Sequence, residues 1–150
     1  MKIIPPVLFV FCGSLQFLSW HFIALPLFPN ALGEDFNIYA SLAMGGVCGG
    51  IALWKVVMFK KANTPLDPRE KASALLTSGF FRYSRNPIYL ALAGGLFTFA
   101  CILNNAVAVL AIFVFVFLMN EIWIKAEEKS LEELFKEEYL DYKQKTRRWL

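Results

Sequence analysis

The sequence predicts an all-α integral membrane protein with about four transmembrane helices and an amphipathic cytoplasmic helix at its C-terminal end. Three observations predict it. Hydrophobic residues make up 57% of the 150-residue chain and charged residues 18%, against about 45–50% and about 25% in an ordinary soluble domain. Mean hydropathy is +0.50. The net charge of +3 is unevenly placed: Lys2 is the only Lys or Arg before Lys55, and every other basic residue comes later. That asymmetry orients a chain across a membrane and is not the footprint of a nucleic-acid-binding protein.

Several spans of about 20 residues each leave a single domain, 1–150. A separate soluble nucleotide-binding domain of about 100 residues does not fit. Any cofactor therefore has to bind among the membrane helices. Cys12, Cys48 and Cys101 lie in apolar segments without a CxxC pair and read as small hydrophobes in packed helices, with no metal site expected.

The first span, 3–27, is almost uncharged and lacks a small-residue cleavage site, so it reads as a retained helix and not a signal peptide. Pro5–Pro6 mark its entry and Pro26 and Pro29 its exit, and His21 beside Trp20 has no second metal-type ligand near it. An acidic loop, Asn30–Asn37, leads to the second span, 38–59. There Gly45, Gly46, Gly49 and Gly50 place glycines at i and i+4 twice, a spacing that lets helix backbones approach closely in a membrane.

A polar stretch, 60–87, comes next as a cytoplasmic loop, broken by Pro65, Pro68, Gly79 and Pro87, with a short helix expected near Arg69–Leu76. The third span, 88–103, and the fourth, 106–124, flank the Asn104–Asn105 turn as a tight hairpin. The tail, 125–150, mixes lysines and arginines with glutamates. Leu131, Leu134, Phe135, Tyr139 and Tyr142 recur in it at helical spacing, which predicts an amphipathic helix lying on the membrane or folding back over the bundle mouth. Positive-inside counting puts both termini, the middle loop and the tail on the cytoplasmic face.

Two cytoplasmic stretches carry residues that packing does not require. In Arg82-Tyr83-Ser84-Arg85-Asn86-Pro87-Ile88-Tyr89, Pro87 suits the first turn of a helix. The free backbone donors and the arginines there suit a carboxylate or phosphate. The plainer alternative is a positive-inside anchor. The second stretch runs from Glu121 to Glu128. A carboxylate near the end of an apolar span is costly and faces a partner or a wet cavity, and Glu128 lies about two turns beyond Glu121, on the same face if the helix is regular. Here the alternative is a solvated helix start. A short hairpin brings both stretches to one membrane face, and Gly94–Gly95 thins the third helix below Tyr89. Arginines at one end, carboxylates at the other and aromatic walls suit a zwitterionic nucleoside such as S-adenosylmethionine.

At these residues the sequence resembles the integral-membrane methyltransferases that include isoprenylcysteine carboxyl methyltransferases and phospholipid N-methyltransferases, over roughly Lys60–Tyr142. Three ordered pieces carry the likeness: Asn63-Thr64-Pro65 through Gly79-Phe80-Phe81-Arg82-Tyr83; then Arg85-Asn86-Pro87-Ile88-Tyr89, similar to the family's Arg-His/Asn-Pro-x-Tyr signature; then Glu127-Glu128 with Phe135, Tyr139 and Tyr142. The resemblance implies S-adenosylmethionine contacts from Arg85, Asn86, Pro87, Tyr89, Glu127 and Glu128, with Gly95 approaching the cofactor closely. Three departures stand out. Asn86 replaces the histidine of eukaryotic carboxyl methyltransferases and cannot titrate. Lys136 takes the place of a common glycine. The residues ahead of Glu127 lack the arginine that precedes the glutamate pair in the carboxyl methyltransferases.

The function expected is methyl transfer to a lipophilic or small acceptor at the cytoplasmic interface, with membrane lipids as surroundings, and Glu121 or Glu128 as general base if the acceptor is protonated. Two alternatives remain open from sequence: a lipid or steroid double-bond reductase using a nicotinamide cofactor, and a non-enzymatic helical membrane partner.

Overall fold

Helices form along the apolar runs and end where their sequence changes character. The computed structural model describes residues 5–23, 25–28, 35–63 and 74–150. Within these, α1 is Pro5–Phe22, α2 is Phe36–Lys61 and α3 is Pro87–Ile102. Prolines open α1 and α3, at first-turn positions where a missing N–H costs no intrahelical bond. Most of the acidic loop after α1, and all but the last residues of the expected short helix at Arg69–Leu76, fall outside the described residues. The described part, Ala74–Leu76, is not helical.

The last stretch departs most from expectation. A 3-10 turn (Val107–Val109), α4 (Leu110–Leu118), a π-turn (Met119–Ile124) and α5 (Lys125–Lys145) succeed one another directly. They form a 39-residue helical run, Val107–Lys145, with no break between the fourth apolar segment and the tail. No Gly or Pro occurs within this run, and a change from apolar to charged residues does not by itself end a helix.

Two helices, Phe36–Lys61 and Val107–Lys145, are long and apolar enough to cross a membrane. α1 and α3 are apolar and shorter; the 16 residues of α3 span about 24 Å, less than the roughly 30 Å hydrocarbon core.

α3 is the central helix. α2 packs along it, and α1 packs against α3, α4 and the turn between them. The contacts explain the small residues. A Cβ at Gly94 would lie 2.4 Å from the Cys48 sulfur of α2, and one at Gly45 would lie 3.3 Å from Thr98 of α3. Among the described residues, Gly46, Gly49 and Gly50 have nothing within 4 Å of a would-be Cβ, so of the glycine stripe in α2 only Gly45 meets a neighbour there. Gln16 of α1 is fully buried and donates to the carbonyls of Leu96 and Ala108, both at 3.0 Å. Such bonds hold helices together in lipid, each contributing about 0.6–2 kcal/mol.

At the far end of the hairpin, Asn104 Oδ1 accepts from the backbone N–H groups of Leu27 (3.1 Å) and Phe28 (2.8 Å). Asn105 Nδ2 donates to the Ile23 carbonyl at 2.7 Å. The Asn104–Asn105 turn thus holds the exit of α1 as well as reversing the chain. The core beneath gathers Leu8, Cys12, Leu96, Phe115, Met119 and Ile124. All three cysteines are buried and unpaired.

α5 does not run straight. Lys136 has φ 47° and ψ −122°, left-handed backbone that disfavours every residue with a Cβ. The chain reverses there. Lys143 Nζ reaches Glu132 Oε1 at 2.5 Å across eleven residues, a span of about 16 Å along an uninterrupted helix. Folding back sets Tyr139 and Tyr142 against Phe81, with Trp54, Phe59, Leu131 and Phe135 around them, as a second core at the bundle mouth. Of the two placements open to the tail, the structure takes the fold-back.

The missing glycine at this position therefore has a measurable consequence. Lys136→Gly removes about 1–3 kcal/mol of backbone strain and adds about 0.4–1 kcal/mol of unfolded-state entropy. A net gain of about 1 kcal/mol is expected, read as a higher melting temperature by circular dichroism in detergent.

Candidate active site

The turn that precedes α3 is shaped by one glycine. Gly79 has φ +62°, and a Cβ there would sit 2.2 Å from the Trp54 ring of α2. The 3-10 turn Gly79–Arg82 therefore packs directly on the end of α2, with Trp54 edge-on to Phe80 at 4.9 Å between centroids. Phe81 is buried beneath it, and its carbonyl accepts from the Tyr142 hydroxyl at 2.7 Å. Burial raises the Tyr142 hydroxyl to a pKa of about 12, against an opposing pull from the Arg85 charge, so it stays a donor.

From this platform the chain delivers Arg85 into a closed set of acceptors. Its Nη2 donates to Glu128 Oε1 at 2.9 Å, and its Nη1 to the carbonyls of Lys143 (2.8 Å) and Thr146 (2.7 Å). Those carbonyls stand at the end of α5, where positive charge is favoured. Arg148 approaches the same carboxylate from the other side, Nε to Oε1 at 3.0 Å and Nη2 to Oε2 at 2.6 Å. Glu128 thus joins two guanidinium groups, and the Glu128 and Arg85 side chains are 8% and 9% exposed. Burial alone would raise the Glu128 carboxyl, but the hydrogen bonds and charges of Arg148 and Arg85 outweigh it and hold the group below its ordinary range. Among the described residues, the buried Nε of Arg85 has no acceptor.

Residues 146–150 form a strap that closes the mouth. Asn86 Nδ2 donates to the Arg148 carbonyl at 3.0 Å, and the Arg85 backbone N–H donates to the Arg147 carbonyl at 3.0 Å. Trp149 Nε1 donates to Asn120 of the π-turn at 3.1 Å. Asn86 therefore precedes α3 without capping it with its side chain; its amide is given to the strap.

Tyr89 and Glu127 make a second pair beside the first. The Tyr89 hydroxyl donates to Glu127 Oε2 at 3.0 Å. Burial raises the Glu127 carboxyl, the charge of Lys55 and the Tyr89 hydrogen bond pull it back down, and neighbouring Glu128 adds a smaller upward push. Burial wins. Adjacent glutamates thus hold opposite electrostatic positions: Glu128 is locked as a carboxylate, and Glu127 is easier to protonate than an ordinary glutamate.

The sequence-predicted site residues divide accordingly. Arg85, Asn86, Tyr89, Glu127 and Glu128 come together, with Pro87 buried at the start of α3. Gly95 faces α1, where a Cβ would lie 3.3 Å from the Phe9 ring. Glu121 is exposed and paired with Lys125 at 2.7 Å. It does not share the face of Glu128, because the π-turn inserts an extra residue and rotates the helix beyond it by about 100°. His21 is exposed, against the Phe22 ring. Sequence reasoning missed Arg148, Trp149, Asn120 and Lys55. Arg148 was hidden among exposed basic neighbours, whereas Lys55, a charge within an apolar helix, was a signal available to find.

The fold and site define a class first: a helical membrane protein with a polar, charged centre where a hairpin meets its own C-terminal segment. The chain belongs to the phospholipid methyltransferase family, whose description matches residues 36–138. That match covers α2 through the bend of α5 and includes both motif segments. The chain is also similar to an uncharacterized protein of Haemophilus influenzae, 41% identical over 63 residues, covering 42% of this chain and 100% of the relative. No solved structure matches.

The ion pairs of Glu128 make the fold sensitive to acid. A carboxyl held below its unfolded value contributes stability that is present above about pH 4.3 and lost as pH falls through the lowered folded value. Acid should therefore melt the wild type through this group, and Glu128→Gln should flatten that part of the pH profile. Glu128→Ala leaves Arg85 buried without its carboxylate and should cost about 3–5 kcal/mol, measured by denaturant unfolding in detergent.

Proposed function

We propose that this protein is an S-adenosylmethionine-dependent methyltransferase, integral to the membrane in four passes, with its reacting centre at the cytoplasmic interface. The observation that carries the reading is the meeting of the two motif segments of the family in two direct contacts, Arg85 with Glu128 and Tyr89 with Glu127. The residues also fit the cofactor chemically. Glu127 keeps one oxygen outside its hydrogen bond to Tyr89, suited to a ribose hydroxyl or an ammonium group, and the orphaned Arg85 Nε–H suits a ligand oxygen.

When bound, S-adenosylmethionine supplies a methyl group on a sulfonium that is its own leaving group. The protein's work is then to position and to exclude water. Glu128, Arg85 and Arg148 fix the mouth, their donors and acceptors largely spent on one another. Asn86 ties the strap across it and takes no part in proton transfer. Where the acceptor arrives protonated, Glu127 suits the role of general base better than Glu121 or Glu128, because its raised pKa lies closer to neutrality. Glu121 points outward, and Glu128 is held ionised by two arginines. Gly95 remains in helix packing. A lipophilic or small acceptor enters from the bilayer, and the cofactor from the aqueous side.

Calorimetry of the purified protein tests the reading. S-adenosylhomocysteine should bind, and Glu127→Gln should weaken it at least tenfold with little change in melting temperature. Binding of a reduced nicotinamide in place of S-adenosylhomocysteine would replace this reading with a reductase. Incubating membranes that contain the protein with methyl-labelled S-adenosylmethionine should label one class of lipid or small molecule, which identifies the acceptor.

A further inference from the structure

α2 carries a charge where its sequence is otherwise apolar. Lys55 stands six residues before Lys61, the end of the helix, and no other charged residue precedes it in α2. Lysine within a membrane helix is expensive and normally faces a partner or a wet cavity. Here the ammonium lies 4.7 Å from the Phe59 ring centroid, one turn nearer the helix end. Among the described residues no carboxylate comes within ion-pair distance of it.

Its position is nevertheless fixed. Trp54, the preceding residue, is seated under Gly79 and against Phe80 and Phe81, so Lys55 is held at the same mouth as the motif residues. Phe59, over which the ammonium lies, packs beside Phe81 at 6.2 Å between ring centroids, in the same aromatic cluster at the mouth. Glu127, held on one oxygen by Tyr89, is the carboxylate whose charge acts on Lys55 without forming an ion pair with it. A cation and a carboxylate that belong to different helices thus share the mouth without pairing directly. Two opposite charges that have no ion-pair partner among the described residues are complementary to a ligand that carries both signs.

We propose that Lys55 and Glu127 form a zwitterion-binding subsite, Lys55 taking the anionic end of the ligand and Glu127, oriented by Tyr89, its ammonium end. The inference rests on the methyltransferase reading and deepens it. Two sources share this chemistry: the amino-acid end of the sulfonium cofactor, and a zwitterionic phosphate–amine headgroup of an acceptor. Snorkelling of Lys55 toward the helix end is the competing account, and it predicts no dependence on which ligand is offered.

The test uses the full chain in detergent, as wild type, Lys55→Met and Lys55→Arg, titrated with three probes. S-adenosylhomocysteine carries the amino-acid zwitterion, 5′-methylthioadenosine lacks it, and glycerophosphoethanolamine carries the headgroup zwitterion alone. Lys55→Met should weaken one zwitterion at least tenfold and leave 5′-methylthioadenosine unchanged, which also shows that the variant is folded. Lys55→Arg should stay within about threefold of wild type. A loss confined to S-adenosylhomocysteine assigns the subsite to the cofactor, and a loss confined to glycerophosphoethanolamine assigns it to the acceptor. If Lys55→Met binds both zwitterions as wild type does, the subsite is overturned while nucleoside binding leaves the methyltransferase reading standing. If wild type binds none of the three probes, both fall together.

Discussion

The mouth of this protein depends on one buried carboxylate. Glu128 accepts from Arg85, which leads into α3, and from Arg148, which belongs to the strap. Three segments far apart in sequence are therefore joined at a single anion. Removing charges from water is costly, and a buried pair persists only where the geometry and the remaining hydrogen bonds compensate. Among the described residues, two of the three guanidinium nitrogens of Arg85 have acceptors: Nη2 meets Glu128, and Nη1 is taken up by the carbonyls that close α5. The Lys136 reversal supplies the other half of the constraint. It returns the tail to the mouth, bringing Tyr139, Tyr142 and Arg148 within reach of the residues before α3.

The apolar part of the molecule holds this end in place. Gln16 and the Asn104–Asn105 turn satisfy backbone groups that lipid cannot solvate, and they do so by joining α1 to the hairpin at both its middle and its far end. The close fit of Gly94 to Cys48 holds α2 to α3. Lys55, Tyr89 and the glutamates consequently stand on helices whose relative positions are set below the mouth. The π-turn then aims them: it turns Glu127 and Glu128 inward and leaves Glu121 paired with Lys125 on the outside.

Much of this was legible in the chain itself. Apolar runs marked three helices to within a few residues and the start of the fourth, because long uncharged segments favour a helix with its backbone bonds satisfied internally. Proline at position 87 marked the start of α3, and the asparagine pair marked the hairpin turn. Arg85, Asn86, Tyr89, Glu127 and Glu128 were recognisable as a set, since arginine and glutamate at the ends of apolar helices are hard to explain by packing. The continuity of the fourth helix with the tail was not legible, because polarity reports environment and says little about whether a helix continues. Nor was the displacement of Glu121, since a single π-turn has no strong sequence signature and cancels an argument built on regular spacing.

Sequence by itself determined the solvent, the helices and the residue types of the charged centre. These come from composition and local spacing, which tertiary contacts do not rewrite. Only the tertiary structure decided which charges neutralise one another and which stay available. Glu127 and Glu128 are neighbours of identical chemistry, yet one is locked between two arginines and the other shares a hydrogen bond with Tyr89 while facing the charge of Lys55. That difference arises from partners roughly 20 to 70 residues away in the chain, Arg85, Tyr89 and Lys55 brought close by the packing of α2, α3 and α4 and Arg148 by the reversal at Lys136, and long-range electrostatics of that kind is written in no local pattern.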